Sequence, residues 1–161
     1  MQRRTFLGLL LTGSASLGLT GCGYRLRGLD TPGPALSELA IAGSDSDLAG
    51  MVRERLESGD TRVHAQAPLV LNLGAEEFRE RPLGIQGTGP RELEMALRLP
   101  YSVQRRSDGA YRLPQQQLEV VTRFTVSDDN LLAQEDLREE ARQELRRDAT
   151  RRLLDRLRSL E

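Results

Sequence analysis

Arg91-Glu92-Leu93-Glu94-Met95-Ala96-Leu97-Arg98-Leu99-Pro100-Tyr101-Ser102-Val103 decides how this chain folds. Leu93, Met95, Leu97, Leu99, Tyr101 and Val103 alternate without a miss against Glu92, Glu94, Ala96, Arg98, Pro100 and Ser102. A period of two over six apolar positions is a strand with one packed and one polar face; a helix would scatter these side chains around its circumference. Pro100 has no amide hydrogen, so a neighbouring strand must be absent or bulged beside it. Downstream, Asp108-Gly109 supplies a hairpin turn. Leu118, Val120, Thr122, Phe124 and Val126 make the return strand. Two such strands define antiparallel sheet with one face on a core and the other wet.

Helices must cover the apolar face. Leu137, Ala141, Leu145, Ala149, Leu153 and Leu157 recur at every fourth residue, supported by Leu154 and Leu160. At 3.6 residues per turn that stripe drifts by roughly 40° per step, which lets a long helix follow a twisted sheet obliquely. Its remaining positions are nearly all charged, acidic early (Glu135, Asp136, Glu139, Glu140) and basic late (Arg151, Arg152, Arg156, Arg158), as the helix dipole favours. A solvated outer face with intrahelical pairs accounts for these charges. Upstream, Leu36–Ala42 reads as a strand, and Ser44 and Asp47 are spaced as a capping box. Leu48, Met51, Val52 and Leu56 then mark a three-turn helix ending at Gly59, with Arg53, Glu54, Arg55 and Glu57 on its wet side. Leu69–Phe78 reads as a strand, and Arg79–Pro90, with Pro82, Gly84, Gly87, Gly89 and Pro90, as a loop. The expected architecture is an α+β two-layer sandwich. Its sheet is mainly antiparallel or mixed, with about four strands, and both helices pack on one face. The polar face is left to solvent or a partner.

The N-terminus carries an address. Arg3 and Arg4 precede the apolar run Phe6–Leu11, small and polar residues continue to Gly21, and Leu19-Thr20-Gly21-Cys22 resembles the bacterial lipobox. The apolar stretch is interrupted and shorter than the roughly 20 residues that span a bilayer. Residues 1–21 therefore read as a lipoprotein signal peptide and 22–161 as a single domain acylated at Cys22. Three acyl chains there make attachment close to permanent, at about 0.8 kcal/mol per buried methylene. Arg3-Arg4-Thr5-Phe6-Leu7 also resembles the twin-arginine export pattern, but Gln2 stands where that pattern prefers Ser or Thr, which favours the general secretory route. Asp30-Thr31-Pro32-Gly33-Pro34 then breaks regular structure.

Composition excludes several classes. Removing the signal takes two arginines and no acids, leaving 21 basic against 24 acidic side chains. A nucleic-acid binder needs a concentrated basic excess. Cys22 is the only cysteine and His64 the only histidine, so the soft ligands of a metal site are missing and no cofactor is called for. His64, in Arg62-Val63-His64-Ala65, lacks the partners of a catalytic triad. Glu92 and Glu94 share a strand face with no nucleophile beside them and read as wet-face charges. Gly84-Ile85-Gln86-Gly87-Thr88-Gly89 has neither the lysine nor the following helix of a phosphate loop. The chain reads as a non-enzyme.

Cys22-Gly23-Tyr24-Arg25-Leu26-Arg27-Gly28 is similar to the opening of mature LPS-assembly lipoproteins of the LptE family. So are Leu118–Phe124, Asp128-Asp129-Asn130 and the long Arg/Glu-rich closing helix. The resemblance implies an outer-membrane lipoprotein that plugs and helps assemble a large β-barrel partner (LptD) and binds lipopolysaccharide during delivery to the outer leaflet. Gly23 after the cysteine fits release to the outer membrane. An accessory lipoprotein of another envelope complex, or a periplasmic lipid carrier, is the alternative. Lipopolysaccharide presents phosphates and carboxylates, which arginine matches in plane. The candidates are Arg79 and Arg81 at one strand end, Arg91 opening the next strand, and Arg105, Arg106 and Arg112 around the hairpin. Scattered surface arginines are the plain alternative for each.

Overall fold

The computed structural model describes residues 36–84, 89–127 and 131–160. The signal segment, Cys22, Tyr24–Gly28, the centre of the glycine-rich stretch and Asp128–Asn130 lie outside the described residues. In chain order the elements are β1 (Glu38–Gly43), α1 (Asp47–Glu57), β2 (Arg62–Val63), β3 (Leu69–Leu73), β4 (Glu77–Leu83), β5 (Arg91–Arg105), β6 (Tyr111–Val126) and α2 (Leu131–Arg158). The class is the expected α+β, but the sheet has six strands rather than about four, and it is mixed.

β5 is the spine. β6 pairs along nearly its whole length, so its other edge is shared in succession by β4, opposite Glu92–Arg98, and β3, opposite Tyr101–Arg105. All three pairings are antiparallel. β1 then adds to β3, and β2 to β1, both parallel. Leu99 and Pro100 fall in the gap between β4 and β3. Gly74 N–H donates to the Pro100 carbonyl at 2.8 Å. The amide and carbonyl of one residue in a strand point to the same edge, so the donor that Pro100 lacks would also have faced this gap. The chain crosses here closely: a Cβ on Gly74 would meet the Pro100 ring at 2.8 Å. At the end of β1, Gly43 has φ +114° and a Cβ there would lie 1.9 Å from the Leu73 carbonyl oxygen, so no other residue fits.

Three expectations are corrected. The stretch read as one strand, Leu69–Phe78, divides at Gly74–Glu76, and the stretch read as loop holds β4. Pro82 is tolerated because β4 is an edge strand. The helix cap is Ser46, not Ser44: its hydroxyl accepts from Ala49 N–H at 3.2 Å.

β6 carries two irregularities: Arg112 is an extra residue between Tyr111 and Leu113, and Pro114 and Gln115 together oppose the single residue Ser102 of β5. The one at Pro114–Gln115 reverses the strand's parity, so Leu113 and Leu118 both face inward although they are five residues apart. The core is continuous: Leu97, Leu99 and Val103 of β5, Leu71 of β3, Leu48, Val52 and Leu56 of α1, and Leu145, Leu153 and Leu157 of α2. Truncating a leucine in such a setting costs about 2–5 kcal/mol. Both helices lie on this face, and the other face of β4–β5–β6 carries the even-numbered polar residues of β5. No helix among the described residues is long and apolar enough to cross a membrane.

Candidate functional site

The β5–β6 hairpin brings Arg105, Arg106 and Arg112 to one end of the sheet. Gly109, at φ +69°, closes the turn, with its N–H donating to the Arg105 carbonyl at 2.9 Å. Arg105 pairs with Asp108 at 3.3 Å, both half exposed. Arg106 is held from below: its backbone N–H donates to Pro68 and its Nε to the Ala67 carbonyl at 2.9 Å. Arg112, the extra residue of the first bulge of β6, reaches the Leu160 carbonyl at 3.5 Å. That contact joins the hairpin to the turn just after α2, which brings Arg156 and Arg158 to the same end. The late basic residues of the helix were visible in the sequence, but their place beside the hairpin was not.

Arg79, Arg81 and Arg91 are elsewhere. Arg79 and Arg81 stand within β4, not at a strand end, opposite Ala96 and Glu94. Ala96 is nine residues from Arg105 along β5, so about 30 Å separates the groups at ~3.3 Å per residue. Arg91 opens β5 opposite Val126, near the start of α2.

The outward face of β4–β5–β6 is a ladder of ion pairs. Arg81 donates through Nε to Glu94 Oε1 at 2.7 Å, and Arg123 reaches Glu94 Oε2 from β6 at 3.5 Å. Arg98 and Glu119 pair across β5 and β6 through two contacts at 3.2 and 3.3 Å. Glu94 is therefore a buried carboxylate, not the wet-face charge its alternation suggested. Its neighbours cover it.

A second cluster lies on the helical side. Glu76, in the β3–β4 connection, accepts Leu48 N–H at the start of α1 through Oε1 at 3.1 Å, and Arg146 of α2 through Oε2 at 2.8 Å. Arg146 also reaches Asp47 at 3.3 Å and lies 5.2 Å from the Phe78 ring centroid. About two turns earlier, Arg138 holds Glu80 of β4 through contacts at 3.0 and 3.4 Å. Neither arginine belongs to a solvated outer face, contrary to the reading of α2 as charged only toward water. Together they bolt the helix to the sheet edge. At the surface, Arg142 bridges Glu135 and Glu139 at 3.2 Å each. Hydrogen bonding from Arg142, above all, holds the Glu139 carboxyl below its ordinary range.

His64 is exposed and 3.4 Å from Glu38, which also pairs with Arg62. Glu92 is exposed on β5. Among the described residues no group of His, Cys, Asp or Glu converges as a metal site.

Arginines at the hairpin end, a paired polar face and helices bolted over the other face make up a small α+β domain whose fold is shared with bacterial lipoproteins. The rare lipoprotein B of Shewanella oneidensis shares its fold at TM-score 0.61 and 21% identity, over 76% of this chain and 94% of that one. An uncharacterized lipoprotein B of Nitrosomonas europaea gives TM-score 0.65 and 15% identity, over 82% and 88%. A minor lipoprotein of Acinetobacter baumannii gives 0.60 and 10%, over 76% and 91%. Residues 32–157 match the lipopolysaccharide-assembly family LptE. The chain belongs to that family, whose members are non-enzymatic lipoproteins with a role in lipopolysaccharide assembly.

Proposed function

We propose that this chain is the lipoprotein subunit of an outer-membrane lipopolysaccharide translocon. Acyl chains on Cys22 anchor it to the periplasm-facing leaflet of the outer membrane. It plugs an LptD-type β-barrel, helps that barrel assemble, and binds lipopolysaccharide on its way to the outer leaflet. Family membership supports the partner.

The hairpin end carries the ligand reading. Three arginines converge there, and their present contacts are weak. A half-exposed pair such as Arg105–Asp108 is worth under about 1 kcal/mol, so a phosphate displaces it readily. Arg106 is oriented by its Nε bond, while its terminal Nη groups have no partner among the described residues. Arg79 and Arg81 on the polar face and Arg91 at the far end form a secondary set.

The test is a gentle solubilisation of membranes carrying the full chain, followed by pull-down. A stoichiometric β-barrel and bound lipopolysaccharide are expected. The R105E/R112E double variant, which spares the packing contact of Arg106, is expected to keep the barrel and lose about tenfold in lipopolysaccharide affinity. No barrel in the wild-type pull-down overturns the partner; unchanged lipopolysaccharide affinity overturns the hairpin site.

A further inference from the structure

We infer that the groove between α1 and α2 is a second anion site, suited to a phosphate monoester and separate from the hairpin arginines. The groove encloses about 390 Å³. Arg55 of α1 and Arg147 and Arg151 of α2 line it, against a single carboxylate, Glu54. Several arginines of this domain are taken up by carboxylates: Arg81 and Arg123 by Glu94, Arg98 by Glu119, Arg138 by Glu80, Arg146 by Glu76. Arg151 follows that pattern, pairing with Asp148 at 2.9 Å. Arg55 and Arg147 do not: among the described residues no carboxylate or carbonyl receives either side chain. Both residues are exposed, and two unpaired guanidinium groups lining one concavity from different helices attract an anion between them.

Thr150 supplies an independent sign. The residue is buried in the groove wall, and its hydroxyl has no hydrogen-bond partner. A buried hydroxyl is almost always satisfied, so this one marks a missing acceptor. Donors from two helices and a wall hydroxyl approach from different directions. That arrangement suits a tetrahedral anion with three acceptor oxygens better than a flat carboxylate. Met51 adds an apolar wall, which accommodates the first carbons of an ester substituent. The same chemistry is presented by a soluble phosphate monoester and by a phosphorylated lipid headgroup.

The experiment uses the full chain in zwitterionic detergent, titrated with inorganic phosphate and, separately, with phosphatidylcholine vesicles containing phosphatidic acid. The readout is the NMR shift of the arginine Nε–H groups together with a binding isotherm. Saturable binding of either probe is expected. R55Q/R147Q should weaken it by at least about tenfold, and T150V by a smaller factor. The control R53Q/R62Q removes the same charge from two exposed arginines that do not line the groove, and should leave affinity unchanged. Among the described residues Arg53, Arg55 and Arg147 have no side-chain contact to lose, and the exposed Arg62–Glu38 pair adds little stability, so both doubles should melt close to the wild type. Saturation by inorganic phosphate identifies a soluble ligand; saturation only by vesicles identifies a lipid headgroup. Absence of saturable binding, equal weakening in both doubles, or loss in R105E/R112E but not in R55Q/R147Q overturns the site. The last outcome leaves the hairpin reading intact.

Discussion

Glu76 and Glu94 are nearly alike by burial, with side chains 8% and 10% exposed, and each lies against arginine. Their partners are not alike. Arg146 beside Glu76 is itself only 15% exposed, whereas Arg81 and Arg123 beside Glu94 are 70% and 64% exposed. Glu76 is enclosed by a helix start, a helix side and a sheet edge. Glu94 is enclosed only by the two arginines that bind it. The difference teaches that the fate of the partner, not the burial of the carboxylate, sets what an ion pair contributes. Removing Glu76 leaves a largely buried cation with only the exposed carboxylates of Asp47 and Glu139; removing Glu94 releases two cations into water.

The largest expected effect follows at the inner pair. Glu76→Gln should lower unfolding free energy by about 3 kcal/mol, since it leaves Arg146 buried with a weakened partner. The amide still accepts Leu48 N–H, so the loss reports the charge rather than the cap. Urea melts check it. A loss equal to that of Glu94→Gln would erase the distinction between the two clusters.

The outer pair should yield far less. Glu94→Gln is expected to cost under about 1 kcal/mol, because Arg81 and Arg123 remain solvated when their carboxylate is gone. Added salt should shrink that cost further while barely touching the Glu76→Gln effect, as exposed pairs are screened and enclosed ones are not. The same melts at low and high ionic strength decide it. If salt moves both variants alike, the inner pair is as wet as the outer one.

Much of this frame was legible in the sequence. Strict alternation gave β5 and β6, the fourth-residue stripe gave the buried face of α2, and the hairpin arginines followed from the turn. Pro100 even foretold the break between β4 and β3. Counting outward from Asp108-Gly109 as a two-residue turn also puts Arg123 opposite Glu94, so that pair was within reach, although the count succeeds only because the wider turn and the two β6 bulges offset each other. β4 was hidden because Pro82 and Gly84 are loop signals unless the strand is known to be an edge. The Glu76–Arg146 contact was hidden for a deeper reason. Its partners are 70 residues apart and lie on a connection and on the charged flank of a helix, where local pattern favours solvent. Period identifies which residues face a core, but it does not say which charged residue at the border of the stripe turns inward.

The smallest expected effect lies at the surface of α2, where Glu139 links the two regimes. The hydrogen bond from Arg142 leads in lowering its pKa below the ordinary 4.5, slight burial opposes it, and Gln143 and the charges of Arg146 and Arg142 add to it. A carboxyl whose folded-state pKa is depressed binds its proton more weakly folded than unfolded. Its stabilising contribution is therefore complete above the ordinary value and lost as pH falls through the lowered one. Glu139→Gln should flatten the acid limb of the stability–pH curve below about pH 4.5, and leave its slope near neutrality unchanged. Glu139 also lies 3.7 Å from Arg146, so it is one of the groups left to that arginine once Glu76 is neutralised. In the Glu76→Gln background the flattening caused by Glu139→Gln should accordingly be larger than in the wild type. Equal flattening in both backgrounds would mean that Arg146 does not turn from its buried partner to the surface one, and that the inner cluster acts as a closed unit.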